Sequence, residues 1–230
     1  MLKYFQTMKF VKGENMVNKK LVESPVSIPI DITKLLEDKD NLPNPDKLLY
    51  YNDLNNRVIY LDDEICREVI VPLIKLIVAW NREDVSLDVK ARKPIKIMID
   101  SYGGDIDATL HLIDMIKLSK TPIYTYNISV AMSGGFYIFI AGHKRFALKH
   151  SQALCHQGSA GFEGEAETIK SHTTQYNKTL NQLFEHVLES TKISKDLLNK
   201  KKKTEWFING EEQVDLGIAD EIITNIDYLI

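Results

Sequence analysis

From residue 57 onward, the spacing of apolar side chains switches repeatedly between strand and helix periods. Arg57-Val58-Ile59-Tyr60-Leu61 is rich in β-formers and predicts a short strand. Val69, Leu73, Leu76, Ile77 and Trp80 recur at helical spacing and predict a helix over 66–80. Residues 81–92 are polar and read as an exposed connection. Pro94-Ile95-Lys96-Ile97-Met98-Ile99-Asp100 has the pattern of a buried strand, and residues 108–118 return to helical spacing through Leu112, Ile113 and Ile116. Residues 122–128 predict another strand, followed by small residues over 129–135 and an apolar run over 136–142. Short strands follow at 146–148 and 153–156, then a long amphipathic helix over 166–192, then a short helix and strand over 210–223. Strands alternating with helices at this spacing predict βαβ units, a largely parallel sheet and the α/β class.

Residues 1–50 differ. They hold Gly13, Pro25, Pro29, Pro43, Pro45 and scattered charges, and are expected to form an extended or mobile N-terminal arm or propeptide-like segment. Residues 51–230 then make up one domain. Composition adds exclusions rather than a function. With 44% hydrophobic and 27% charged residues, the chain is an ordinary globular one and not a disordered, collagenous or disulfide-stapled one. The balance of 29 basic against 32 acidic residues gives a net charge of −3, which calls for neither nucleic acid nor an anionic membrane as partner. Cys66 and Cys155 lack metal-ligand spacing, and no metal or cofactor is expected. No signal-peptide block is present, and the apolar runs are far shorter than the roughly 20 residues that span a bilayer. The expected location is the cytoplasm.

Three segments carry candidate chemistry. Ser101-Tyr102-Gly103-Gly104 directly follows a predicted strand. Paired glycines at such a turn let the backbone approach a ligand and present N–H groups to an oxyanion, although an ordinary tight turn has the same wording. In Val130-Ala131-Met132-Ser133-Gly134-Gly135, small neighbours permit a sharp turn that presents the Ser133 hydroxyl at a helix start. A plain serine N-cap is the alternative there. His156, in Cys155-His156-Gln157-Gly158, stands at a strand end and has the pKa range of a general base. Of the other histidines, His172 and His186 lie on the long helix and are expected to face solvent.

The order of these three segments resembles the proteolytic subunit of the ATP-dependent Clp protease, the ClpP-like serine peptidases of family S14. That family has a Ser-Pro-Gly-Gly turn, Ala-Ser-Met-Gly around its nucleophile and Met-Ile-His-Gln-Pro around its base. The matching wording here is Ser101-Tyr102-Gly103-Gly104, Met132-Ser133-Gly134-Gly135 and Leu154-Cys155-His156-Gln157. Residues 161–169 resemble the family's Gly-x-x-Gly-x-Ala-x-Asp-Ile, and residues 211–220 its Glu-Ala-x-x-x-Gly-x-x-Asp. The resemblance covers roughly residues 57–223. It implies the ClpP/crotonase-like fold of stacked ββα units, with residues 158–188 as a protruding strand-helix handle. It further implies Ser133 as nucleophile, His156 as general base, and the N–H groups of Gly104 and Gly134 as oxyanion hole. One such donor is typically worth about 3 to 4 kcal/mol of barrier. Finally, it implies a homo-oligomer of two stacked heptameric rings, a tetradecamer, fed with unfolded polypeptide by a Clp-type ATPase. The chain carries no G-x-x-x-x-G-K-[ST] motif of its own for ATP.

Two positions depart from the family. Tyr102 stands where the turn has proline, so the fixed φ is lost while the backbone donor remains. Counting back from Gly217 puts Lys201, inside Lys200-Lys201-Lys202-Lys203, at the family's catalytic Asp. A lysine cannot accept the imidazole N–H and disfavours imidazolium. Glu205 is taken as the third member, with Asp196 and Asn199 as other nearby candidates. A slow peptidase is the expected consequence. Alternatives are a weakly active or non-catalytic subunit of a mixed ring, and a crotonase-type acyl-CoA enzyme, which shares the fold and the paired N–H groups. A Ser–Lys dyad using Lys170 or Lys178 would leave His156 without a role.

Overall fold

The computed structural model describes residues 44–229 together with Asp31 and Thr33. Most of the expected N-terminal arm therefore lies outside the described residues. Its last few residues are not extended: they open helix α1, Pro45–Asn55. The Asn44 side chain accepts the Asp46 N–H, and Pro45 supplies a helical φ at the first position.

The elements that follow are β1 (Val58–Leu61), α2 (Arg67–Glu83), β2 (Ile95–Ser101), α3 (Ile106–Leu118), β3 (Ile123–Met132) and α4 (Gly134–Phe139). Then come β4 (Lys144–Ala147), β5 (Gln152–Cys155), α5 (Ala166–Ser190), α6 (Lys195–Lys201), β6 (Trp206–Asn209), α7 (Gly210–Asp215) and β7 (Glu221–Ile222). Among the described residues the strands join in one sheet with the path β1-β2-β3-β4-β7. Every pairing along this path is parallel, as the strand-helix alternation predicts. Opposite its β2 edge, β3 is long enough to serve two neighbours. Tyr124–Asn127 pair with β4, and Val130–Met132 pair with β5. β6 then closes onto the far side of β5 in antiparallel register.

Side-chain alternation divides the sheet into two apolar faces. Ile59, Leu61, Ile95, Ile97 and Ile99 point into the main core with Ile70, Ile77 and Trp80 of α2 and Leu112 and Ile116 of α3. Val58, Met98, Tyr126, Phe146 and Ile223 form a smaller cluster. There the Tyr126 and Phe146 rings stack at 4.8 Å. Burial on both faces explains why these strands read as nearly continuous hydrophobic runs.

Several elements depart from expectation. The connection over 81–92 is not simply exposed: α2 runs on to Glu83, and Asp84 is only 2% exposed. Asp84 binds Arg57 through both carboxylate oxygens (2.6 and 2.8 Å) and accepts the Thr121 hydroxyl (2.9 Å). Burial opposes the Asp84 charge, but these hydrogen bonds hold its carboxyl below the usual range. Arg57 reaches it from a left-handed backbone, φ 57°, just past α1. Strand β6 falls where no strand is expected. Residues 156–165 form no strand before α5, so only the helical half of the expected handle is regular. A strand needs a partner ladder, and this segment has none beside it in the described residues. His186 does not face solvent: it is 4% exposed. Its Nε2–H donates to the Tyr137 carbonyl (3.0 Å), and its Nδ1 accepts the Ser190 hydroxyl (3.0 Å). Burial, reinforced by the nearby Lys117 charge, lowers its pKa to about 4.

Candidate active site

The C-terminal ends of β2, β3 and β5 meet at one place. β2 ends at Ser101 and turns through Gly103 and Gly104 into α3, which Asp105 caps by accepting the Ala108 N–H (2.7 Å). Both glycines have positive φ, 105° and 150°, which L side chains rarely adopt. The turn is pinned to the chain after β1: Ile65 N–H donates to Gly103 O (2.8 Å), and Asp105 N–H donates to Ile65 O (2.7 Å). The Gly104 N–H takes no part in that bridge. Ser101 Oγ donates to Asp63 O (2.7 Å) and accepts the Gly103 N–H (3.2 Å). Tyr102, in the proline position of the resemblance, is 76% exposed and leaves this backbone undisturbed.

Ser133 joins β3 to α4 with φ 52° and ψ −118°. A non-glycine residue held there is strained, which is the usual mark of a side chain aimed for a purpose. Its hydroxyl makes no capping hydrogen bond to α4, so the simple N-cap reading does not describe it. Its own N–H donates to Leu154 O of β5 (3.0 Å). The glycine turn lies directly against it. A Cβ built on Gly103 would stand 2.7 Å from Ser133 Cβ and 2.8 Å from the Gly134 nitrogen. A Cβ on Gly134 would lie 3.5 Å from the Gly104 nitrogen. Gly134 opens α4, so its N–H has no carbonyl one turn behind it. The backbone of the Gly103–Gly104 turn thus lies against Ser133 and Gly134.

His156 follows β5, whose pairing with β3 ends at Met132↔Leu154. Adjacent parallel strands therefore deliver Ser133 and His156 to the same sheet end. No hydrogen bond joins the Ser133 hydroxyl to the imidazole, and His156 Nε2 is buried without a partner among the described residues. On the other side, the β5–β6 register ends at Cys155↔Trp206. One further step of that register sets Glu205 opposite His156. Glu205 is exposed and makes no hydrogen bond to the ring. The lysine run flanks the same place. Gln157 N–H donates to Lys202 O (2.9 Å), while Lys201 Nζ sits 5.6 Å from the Trp206 ring centroid and Lys202 Nζ 4.4 Å from that of Phe184. These ammonium groups lie over aromatic faces, where the ring quadrupole favours them.

Cys155 beside His156 is buried, and burial pushes its thiol up to about 12, so it remains a neutral packing residue. Among the described residues no three His, Cys, Asp or Glu side chains converge as metal ligands would. Tyr137 also belongs to this neighbourhood, since its hydroxyl donates to His156 O (3.1 Å). It sits inside the apolar run 136–141, where nothing in the pattern separates it from an ordinary core residue.

A strained serine, a glycine turn and a histidine on the next strand thus meet at one end of the parallel sheet. Residues 46–226 match the family model described as Clp protease. The ATP-dependent Clp protease proteolytic subunit 2 of Treponema denticola is 31% identical over 196 residues, which is 84% of this chain and 95% of that protein. The subunit 2 of Treponema pallidum is 27% identical over 180 residues, 77% of this chain and 87% of that protein. That of Corynebacterium glutamicum is 30% identical over 173 residues, 74% and 83% respectively. The chain belongs to the Clp protease family and is a ClpP-like proteolytic subunit. Its parallel α/β sheet agrees with that membership, and the crotonase-type and non-catalytic alternatives are not favoured. No helix among the described residues is long and apolar enough to cross a membrane.

Proposed function

We propose that this chain is a serine-type endopeptidase subunit in which Ser133 is the nucleophile and His156 the general base. The observation that carries the reading is the strained Ser133, with its hydroxyl free of the helix cap and its backbone against the Gly103–Gly104 turn. In the first step Ser133 Oγ attacks the peptide carbonyl while His156 Nε2 takes the hydroxyl proton. The carbonyl oxygen becomes an oxyanion between the Gly104 and Gly134 N–H groups. The imidazolium then gives its proton to the leaving amine as the C–N bond breaks, and Ser133 is left acylated. Water attacks the acyl group, His156 takes the water proton and returns it to Ser133 Oγ, and a carboxylic acid leaves.

Glu205 is the proposed third member, and the continued β5–β6 register supports it. With Lys201 in place of the family's Asp and His156 Nε2 without a partner among the described residues, the reading predicts slow turnover by the isolated chain. The substrate class is unfolded polypeptide, inside a chamber of stacked heptameric rings fed by a Clp-type ATPase in the cytoplasm. Exposed apolar side chains on the first half of α5 and the loop before it support assembly. Phe162 packs on His172 and Tyr176 at 5.6 and 5.9 Å but remains 36% exposed, and Ile169 is 37% exposed. The proposed division is an arm over residues 1–50 and a peptidase domain over 51–230.

The test is fluorophosphonate labelling of the purified full chain, read by intact mass. One adduct, lost in Ser133→Ala, is expected. An adduct that persists in Ser133→Ala, or no adduct in the assembled ring with its ATPase, would overturn the assignment.

A further inference from the structure

Tyr137 touches both halves of the proposed site. It is the fourth residue after Ser133, and its backbone N–H donates to Ser133 O (3.2 Å). Its ring is buried and crosses to β5, where the hydroxyl donates to His156 O (3.1 Å) beside the Cys155 thiol. Its carbonyl in turn accepts the His186 Nε2–H, and His186 is anchored by Ser190 on α5. One side chain thus spans the distance between the serine turn and the histidine.

The span matters because His156 lies beyond the regular ladder on both sides. Pairing with β3 ends at Leu154 and pairing with β6 ends at Cys155. His156 Nε2 is buried with no hydrogen-bond partner among the described residues. The hydrogen bond at His156 itself is the one its carbonyl accepts from Tyr137. A phenylalanine would fill the same space without a buried hydroxyl to satisfy, so packing alone gives no reason for a tyrosine here. Burial raises the Tyr137 phenol well above its ordinary 10, so it stays protonated and keeps donating across the working pH range.

We infer that Tyr137 is a positioning residue, holding the His156 backbone at the sheet end where Ser133 stands. The inference rests on the serine-peptidase reading above. Its chemistry is one neutral hydrogen bond acting through the histidine backbone.

The test uses the full chain as Tyr137→Phe, beside Ile138→Val as a matched core substitution. Two rates are read by peptide mass spectrometry: fluorophosphonate labelling of Ser133 and diethyl pyrocarbonate modification of His156. In Tyr137→Phe the maximal Ser133 labelling rate should fall about tenfold, the weight of one hydrogen bond, with the half-saturating probe concentration unchanged. His156 modification should rise by a similar factor as Nε2 leaves its buried position. Ile138→Val should lower the melting temperature and leave both rates alone. If His156 modification in Tyr137→Phe matches wild type, the inference is overturned, whatever happens at Ser133. A wild-type protein that modifies normally at His156 but never labels at Ser133 overturns the serine reading instead, and the catalytic sense of the positioning falls with it.

Discussion

Gly103 and Ser133 are in direct backbone contact: a methyl group on Gly103 would stand 2.7 Å from the serine Cβ. Contacts that short do not occur between real side chains, and the backbone of Gly103, at φ 105°, is itself closed to other residues. Gly103→Ala should therefore cost about 2 to 4 kcal/mol of stability from strain and displacement. It should also abolish labelling of Ser133, because the turn and the serine cannot both keep their places. A urea melt and a labelling time course on the same preparation check both. An alanine variant with native stability would mean that the turn relaxes freely and that the close approach is not required.

Glu205 and Lys201 test the third position of the proposed triad. Glu205→Gln should slow Ser133 labelling on the order of a hundredfold, short of the full effect seen for a buried triad carboxylate, because Glu205 is exposed. Lys201→Asp should quicken labelling. Lys201 packs its ammonium over Trp206, so its loss should also lower the melting temperature slightly. Equal labelling rates in Glu205→Gln and wild type would remove Glu205 from the site.

His186 makes stability depend on pH. Its folded-state pKa is lowered from 6.5 to about 4 by burial, so the unfolded chain binds the extra proton first as pH falls. The contribution of neutral His186 is whole above its unfolded pKa and is lost progressively between pH 6.5 and about 4. By pH 4 the loss is on the order of 3 kcal/mol. Melting temperatures of wild type should drop across that window more steeply than those of His186→Gln. Parallel curves would place the acid sensitivity elsewhere.

Asp84 is the partner without which Arg57 is a buried charge. Asp84→Ala leaves the guanidinium with only Glu83 and the Lys93 carbonyl, so a loss of about 3 to 5 kcal/mol is expected. The denaturant midpoint should fall without a change in slope. A loss below about 1 kcal/mol would assign the pair the value of a surface ion pair.

The parallel α/β fold was legible because its strands are buried on both faces and its helices keep one apolar stripe. Runs such as Ile95-Lys96-Ile97-Met98-Ile99 and the spacing of Val69, Leu73, Leu76, Ile77 and Trp80 carry that information locally. The tight turns at Gly103–Gly104 and Ser133 were legible from their small neighbours, whereas the roles proposed for these residues came from the family resemblance. What escaped the sequence depends on long-range partners. Asp84 looks like any loop carboxylate until Arg57 and Thr121 meet it. His186 looks solvent-facing until the Tyr137 carbonyl lies across its ring nitrogen. β6 is only four residues long, with Phe207 and Asn209 facing out, and its existence depends on β5 beside it. Tyr137 hides in an apolar run because its hydroxyl finds its acceptor nineteen residues away.

The two neighbours of β5 have a further consequence for the order in which the chain is made. On the inner side is β3, which leaves the ribosome before β5. On the outer side is β6, which is translated only after the whole of α5 and α6. The serine turn and its glycines can therefore form early, while the histidine strand waits for its outer support until synthesis is almost over. On the proposed reading, a nascent subunit of this design carries its serine before its histidine is settled. The sheet end that gathers Ser133 and His156 is therefore complete only when nearly the whole chain has been made.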